Sequence, residues 1–197
     1  MGRERARGLR FGRLTATARG DGERGAVLVE AVITAILLFT LLFGIIDFGS
    51  VFNDYQSVRQ GGRDGLRQAV VATKPAGSWS CPIVGPAPPS VDVQDIVCYT
   101  KARVGLDQSR TRVKISICDT ARTGCPVPLP SPPFRSGYPV KICVQYSTSS
   151  ITGLFPFLNN KVLNTEVESL IEQDEPAFTS SYTETPMSSW PASCDSM

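Results

Sequence analysis

The hydrophobic pattern sets one segment apart from the rest of the chain. Residues 26–46 read AVLVEAVITAILLFTLLFGII, an apolar run with a single charged side chain, Glu30. As a helix this run is roughly 32 Å long, enough to cross a hydrocarbon layer of about 30 Å. The run is longer than the apolar part of a secretory signal, and no small-x-small cleavage site follows it. We therefore predict a membrane-spanning helix over residues 26–46.

The residues after this run have helical spacing instead of uniform hydrophobicity. Apolar positions recur with a period near 3.6 residues, and polar residues occupy the opposite side. This pattern predicts that the helix continues over residues 47–73 and ends before Pro75. The stripe either packs on its own domain or contacts another subunit. Gly61 and Gly62 interrupt it, which indicates either a kink or a close helix contact. The stripe consists of Phe48, Val51, Phe52, Tyr55, Val58, Leu66, Ala69 and Val70.

Residues 74–173 are predicted to form a small α+β domain with many loops. Eleven Pro residues fall between positions 75 and 139, whereas residues 1–74 contain none. Alternating polar and apolar positions predict strands that pair in an antiparallel sheet. The tail, residues 174–197, is rich in Ser, Thr and Pro and is predicted to be disordered. The elements predicted within the domain are a short helix at 91–101, strands at 111–118 and 138–146 joined across the Pro-rich stretch 126–133, and a segment at 162–173 that suits either helix or strand.

Composition excludes several classes of protein. The chain has no His, which excludes a Ser-His-Asp triad, a Cys-His dyad and a zinc site with a His ligand. The net charge of +2 is too small to indicate nucleic-acid binding, so no nucleic-acid partner is predicted. Residues 1–25 form a basic leader with seven Arg and three acidic residues. Basic flanks stay on the cytoplasmic side of a membrane, so we predict a single-pass protein with its N-terminus in the cytoplasm and its C-terminal domain outside.

The cysteines fit this orientation. All six follow the apolar run and none forms a CxxC pair, which argues against zinc and for disulfides on the oxidising side. Proximity along the chain favours the pairs Cys81–Cys98 and Cys118–Cys125. Cys143 and Cys194 then remain, and they either pair or leave Cys143 as a buried thiol.

No catalytic constellation is apparent, and we predict no enzyme activity, no cofactor and no metal. The acidic residues Glu166, Glu168, Glu172, Asp174 and Glu175 are spaced like the solvated face of a strand. No Gly-rich string precedes a helix in the way that phosphate binding requires. A membrane-bound enzyme would need a nucleophile and a base that the sequence does not supply.

The charged residue inside the apolar run is the strongest functional clue. A carboxylate within a membrane-spanning helix is costly and marks a functional position by default, unless it simply lies near the interface. Glu30 stands five residues after Gly25, at the junction between the basic leader and the apolar run. This arrangement resembles the cleavage site of type IV prepilins, which implies cleavage after Gly25 and retention of the helix. Cleavage would create an ammonium at Ala26, and the Glu30 carboxylate of a neighbouring subunit would offset that charge and set the axial register.

A longer segment resembles one family. The junction RGAVLVE at 24–30, the string FGIIDFG at 43–49 and the string GRDGLRQA at 62–69 are similar to the TadE-like family, pilin-like components of the tight-adherence (Flp-type) pilus machinery. The acidic residue Asp47 fits the family pattern near the end of the span. The resemblance implies a strand at 162–173.

The resemblance also implies a function. It indicates a non-enzymatic minor pseudopilin of the bacterial cytoplasmic membrane that is cut by a prepilin peptidase after Gly25. Its partners would be the membrane, that peptidase, other pilin-like subunits and the pilus assembly machinery, and the subunit could itself enter a pilus. The alternative is a single-span anchor that presents an extracytoplasmic binding domain and is neither processed nor polymerised.

Overall fold

The computed structural model describes residues 21–71, 79–118, 124–125, 134–173 and 180–196, with side chains from Gly25 onward. The chain divides into two compact units, residues 1–42 and Phe43–Met197, and we call the second unit the C-terminal domain. The first 20 residues of the basic leader and the Pro-rich stretch 126–133 lie outside the described residues.

Helix α1 spans Asp21–Val70 and contains the apolar run. Within the first unit, the large apolar side chains from Val27 to Leu42 are 47–65% exposed, so this unit provides no cover for them. Among the described residues, one helix, near the N-terminus, is long and apolar enough to cross a membrane, with a mean hydropathy of 2.6 over its most apolar window. Exposed hydrocarbon of this extent requires an apolar environment.

The C-terminal domain is built on a four-stranded antiparallel sheet. The strands are β1 (Thr111–Ile117), β2 (Pro139–Ser147), β3 (Val162–Leu170) and β4 (Tyr182–Thr183), in the spatial order β3-β2-β1-β4. Together with helix α1 they confirm the predicted α+β class. The predicted strands at 111–118 and 138–146 are confirmed, and the segment at 162–173 contains strand β3, which ends at Leu170.

Helix α2 (Val91–Val104) is capped at both ends and is three residues longer than predicted. The Ser90 hydroxyl accepts a hydrogen bond from the Val93 amide at 3.3 Å, and Gly105 ends the helix with φ of 69°. Val91, the first residue of α2, is exposed. The buried side of α2 is formed by Val93, Ile96, Val97, Cys98 and Val104.

One core holds the C-terminal half of α1, helix α2 and the sheet together. Val58, Leu66, Ala69 and Val70 of α1 are buried, so this part of the predicted stripe packs on its own domain. The rest of the core cluster consists of Val93, Ile96, Val97, Val104, Val113, Ile115, Ile117, Phe134, Val140, Ile142, Val144, Tyr146, Ile171 and Tyr182.

Gly61 and Gly65 mark a close contact with α2, whereas Gly62 faces Thr165 of β3, and α1 continues past all three to Val70. A Cβ on Gly61 would lie 2.6 Å from the backbone nitrogen of Val104 in α2, which no side chain can tolerate. Gly65 meets Thr100 in the same way, with its hypothetical Cβ 3.0 Å from the Thr100 Cβ. These glycines therefore let α1 and α2 approach closely. At the end of α1 the Val70 carbonyl accepts a hydrogen bond from the Glu172 amide at 3.0 Å.

The tail corrects the prediction of disorder. Residues 180–196 form ordered structure that includes β4, and several of them contact polar side chains of β1 and β2. The Ser116 hydroxyl donates to the Cys194 carbonyl at 2.9 Å, and Lys141 Nζ donates to the Ser193 carbonyl at 2.7 Å. Four polar side chains of β1 and β2 are buried and contact this tail, namely Lys114, Ser116, Lys141 and Gln145. Residues 174–179 lie outside the described residues.

Three disulfides hold the domain together. Cys81–Cys98 and Cys118–Cys125 are bonded as predicted from their proximity. Cys143 of β2 and Cys194 of the tail are also bonded, which answers the question that the sequence left open.

Candidate functional site

The residues predicted for processing and assembly lie on the exposed surface of α1. Ala26 and Glu30 are four residues apart and so share one side of the helix. Nothing lies within 4 Å of the position that a Cβ on Gly25 would occupy. Within the described residues, the Glu30 carboxylate makes no hydrogen bond or ion pair. It is therefore available to a cationic group from outside the chain.

Asp47, the first acidic residue after the apolar run, is buried and hydrogen-bonded, unlike Glu30. Asp47 is fully buried, and its carboxylate accepts four hydrogen bonds from a loop more than 100 residues away in sequence. Oδ1 accepts from the backbone amides of Ile151 at 3.1 Å and Thr152 at 3.0 Å. Oδ2 accepts from the hydroxyls of Ser150 at 2.8 Å and Thr152 at 2.6 Å. Asp47 thus fixes this loop to α1.

The hydrogen bonds determine the ionisation of Asp47. Burial acts to raise the pKa of this carboxyl, but the donors from Thr152, Ser150 and Ile151 outweigh it and hold the pKa below its usual value. The same hydroxyls organise the loop further. The Ser150 hydroxyl accepts from the Gly153 amide at 2.9 Å, and the Thr152 hydroxyl accepts from the Leu154 amide at 3.2 Å. The loop is therefore ordered around an ionised carboxylate.

Aromatic side chains surround this anchor. The ring centroids of Phe48 and Phe155 are 6.1 Å apart, and those of Phe155 and Phe157 are 5.8 Å apart. A Cβ on Gly44 would lie 3.6 Å from Phe155 Cζ, so the Phe155 ring packs against α1 within the apolar run. Phe48 and Phe157 remain 53% and 56% exposed. The result is an apolar surface at the start of the C-terminal domain.

Sequence reasoning singled out Asp47 only through the family resemblance and assigned it no role. A lone Asp after an apolar run is a visible signal. Its partners are not, because Ser150 and Thr152 belong to a short polar segment that resembles any surface loop. The aromatic string FPFL at 155–158 is a further visible signal.

Replacing Asp47 with Asn should destabilise the C-terminal domain at neutral pH and have less effect in acid. The amide offers one acceptor oxygen where the carboxylate offers two, and hydrogen bonds to a charged group contribute most, so the unfolded fraction should rise on the order of tenfold. Because the folded pKa is lowered, this stability is present above the unfolded pKa of about 3.9 and is lost as pH falls through the folded value. Urea unfolding at several pH values measures the difference.

Asp54, two turns further along α1, provides the matched control. Burial raises the pKa of this carboxyl, although Arg110 opposes the shift. An Asp54→Asn variant removes a charge that folding disfavours, so it should be neutral or stabilising at pH 7. Equal losses in Asp47→Asn and Asp54→Asn would contradict the role assigned to the Asp47 hydrogen bonds.

The acidic residues of β3 lie on its exposed side. Glu166 is exposed, and Glu168 is 43% exposed and pairs with Lys141 at 3.1 Å. Cys143 and Cys194 approach Glu166 closely enough to suggest metal ligands. Their sulfur atoms are bonded to each other, however, and a disulfide offers no thiolate to a metal. The arrangement is therefore that of a disulfide beside a solvated carboxylate.

Residues 25–67 match the family model described as TadE-like protein, which confirms the resemblance over this segment. The match includes Gly25, Ala26 and Glu30 as well as Asp47, and it ends within the C-terminal half of α1. No curated protein and no solved structure matches the chain.

Proposed function

We propose that this chain, which carries a TadE-like segment, is a non-enzymatic pilin-like membrane protein that takes part in assembly of a tight-adherence (Flp-type) pilus. A prepilin peptidase would cut it after Gly25. The observation that carries the proposal is the exposed Glu30 carboxylate, which has no partner among the described residues and lies one helical turn from Ala26 as the single charge of the apolar run.

The apolar part of α1 would hold the subunit in the bacterial cytoplasmic membrane. The seven Arg of the leader favour a cytoplasmic N-terminus. Three disulfides in the C-terminal domain favour an oxidising compartment for the rest of the chain. Charge and cysteine chemistry thus support the same orientation independently.

Assembly would use two charges, the ammonium that processing creates on Ala26 and the carboxylate of Glu30. Cleavage leaves an ammonium on Ala26, and a carboxylate in an apolar medium has a strong preference for a cationic partner. When one subunit lies beside another, the Glu30 of the first can meet the Ala26 ammonium of the second. The match to the TadE-like family supports a minor component of the machinery over the bulk pilin, whose chains are far shorter.

Intact-mass and N-terminal analysis of the protein from native membranes tests processing. We expect a chain that begins at Ala26. A chain that keeps its Arg-rich leader would contradict the proposal, because the ammonium that Glu30 is expected to meet would not exist.

A Glu30→Ala variant tests the assembly step. We expect normal membrane insertion and loss of pili, since the variant removes the carboxylate while making the helix more apolar. Thr34→Ala is the matched control. Thr34 lies one turn further on the exposed surface, its hydroxyl donates only to the Glu30 carbonyl at 2.9 Å, and its loss should leave piliation unchanged. Normal piliation in Glu30→Ala would favour the second candidate below.

The second candidate is a single-span anchor that presents a binding domain and is neither processed nor polymerised. It is favoured by the self-contained C-terminal domain, which has its own core and disulfides and extends well beyond the family match. An unprocessed chain and a Glu30→Ala variant with full piliation would together support this alternative.

A further inference from the structure

The loop fixed by Asp47 presents apolar side chains to its surroundings. We call residues 150–158 the aromatic loop. Ile151 is 69% exposed, Leu154 is 55% exposed and Phe157 is 56% exposed. Exposed aliphatic and aromatic side chains close together in one short loop are unusual on a surface that faces only water.

The aromatic loop lies against the end of the apolar run. Phe155 packs at Gly44, which is two residues before the run ends at position 46. At 1.5 Å per residue, Gly44 is only about 3 Å short of that end. A helix that crosses the membrane over residues 26–46 therefore places the Phe155 ring at the edge of the hydrocarbon layer.

The loop is not free to fold away from this position. Asp47 holds its first residues, and its end is closed by the Thr148 hydroxyl, which donates to the Leu158 carbonyl at 2.6 Å. The Asn160 amide donates to the Thr148 carbonyl at 2.9 Å. The exposed Lys161 follows directly and adds a positive charge suited to lipid phosphate.

We propose that the aromatic loop docks into the outer surface of the membrane that α1 crosses, with Ile151, Leu154 and Phe157 among the lipid headgroups and upper acyl chains. The proposal rests on the membrane span of the proposed function. Lipid is the occupant because the apolar surface of the loop is continuous with Phe48 and with the end of the apolar run, which the proposed function places in the membrane. Asp47 would thus serve to fix the C-terminal domain at a defined depth.

Depth-dependent fluorescence quenching tests this directly. The full-length Phe157→Trp variant is reconstituted in vesicles of phosphatidylethanolamine and phosphatidylglycerol, with or without lipids brominated near the headgroup. We expect brominated lipid to quench the emission added by the new Trp roughly twofold or more, because the loop lies at the depth of interfacial aromatic residues. Ile151→Trp gives a second probe in the same loop in case the first variant does not fold.

Leu170→Trp is the matched control. Leu170 is 59% exposed, close to the value for Phe157. It lies at the far end of the domain, because it is two residues before Glu172, whose amide donates to the carbonyl of Val70 at the end of α1. Val70 is about 34 Å along the helix from Asp47, so a Trp at position 170, which lies near Val70, should not be quenched.

Vesicle flotation separates the failure of this proposal from failure of the span. Protein that floats and resists carbonate extraction but shows equal quenching at positions 157 and 170 would overturn docking of the loop while leaving the span intact. Protein that carbonate removes from the vesicles would overturn both.

Discussion

Replacing Glu184 with Gln is expected to destabilise the C-terminal domain by about 3–5 kcal/mol, because the variant leaves a buried charge without its partner. Glu184 and Lys101 are both fully buried, and Lys101 Nζ lies 2.7 Å from Glu184 Oε1. The Glu184 carboxylate also accepts the amides of Val84 at 3.0 Å and Val113 at 2.7 Å. In the variant, Lys101 would keep the Pro82 carbonyl, at 2.6 Å, but would have no negative charge beside it.

Urea unfolding of the full-length protein in detergent measures this loss. The two Trp residues of the chain, Trp79 and Trp190, both belong to the C-terminal domain, so their emission reports its unfolding and not that of the apolar run. The midpoint should fall while the slope with urea concentration is unchanged.

The stability loss in Glu184→Gln should depend on pH in a defined direction. Burial lowers the pKa of Lys101 more than Glu184 raises it. A folded pKa below the usual value of about 10.4 means that the unfolded state binds more protons, so stability rises as pH rises toward that value. The deficit of Glu184→Gln should therefore shrink at high pH, where Lys101 can become neutral.

A double variant separates the buried charge from the packing. Lys101→Met with Glu184→Gln removes both charges at similar volume, and such exchanges are often close to neutral. We expect the double variant to recover most of the stability lost in Glu184→Gln. A double variant as unstable as the single one would show that hydrogen bonds to the carboxylate, and not the unpaired ammonium, dominate the loss.

The elements that the sequence predicted well depend on local pattern. The apolar run and the stripe beyond it define α1 without knowledge of the rest of the fold. The alternation in β1 and β2 likewise predicts strands, and the pairs Cys81–Cys98 and Cys118–Cys125 follow from short separations. In each case the residues that determine the structure are close together in sequence.

The tail could not be predicted because its partners are distant. Its Ser, Thr and Pro residues resemble a disordered segment, yet Glu184 bonds to Lys101 83 residues away and Asp195 bonds to Lys114 81 residues away. The sequence of the sheet does not indicate that its polar side chains are covered, since alternation of polar and apolar residues is typical of a strand with one solvated face. Only the fold shows that Glu184 and Asp195 of the tail meet buried partners of opposite charge on α2 and β1.

The candidate site likewise has one part that is local in sequence and one part that depends on distant residues. Gly25, Ala26 and Glu30 form a local motif that can be recognised in the sequence, and the family match includes it. The role of Asp47 depends on Ser150 and Thr152, which no spacing rule connects to it. The local motif therefore predicts where processing and assembly would take place, whereas only the structure shows that Asp47 holds the distant aromatic loop.

The disulfide between Cys143 and Cys194 is expected to stabilise the domain most among the three, because it closes the longest loop. The two cysteines are 51 residues apart, and the chain-entropy relation gives about 4 kcal/mol for a loop of that length. A Cys143→Ala variant combined with Cys194→Ala should lose about this amount in urea unfolding. It should also release the tail from the sheet, seen as faster amide exchange over 180–196.

Removal of Cys118–Cys125 in the same way is the matched control. Its cysteines are seven residues apart, so the expected loss is about 2 kcal/mol. Both disulfides also report the compartment, because each requires an oxidising environment to form. If native protein carries free thiols at all four positions, the C-terminal domain faces the reducing side and the proposed orientation is wrong. If the thiols are oxidised but the two double variants are equally stable, closure of the longer loop adds no stability beyond that of the shorter one. The tail is then held by its buried polar contacts, with the Glu184 ion pair supplying the stability expected of the disulfide.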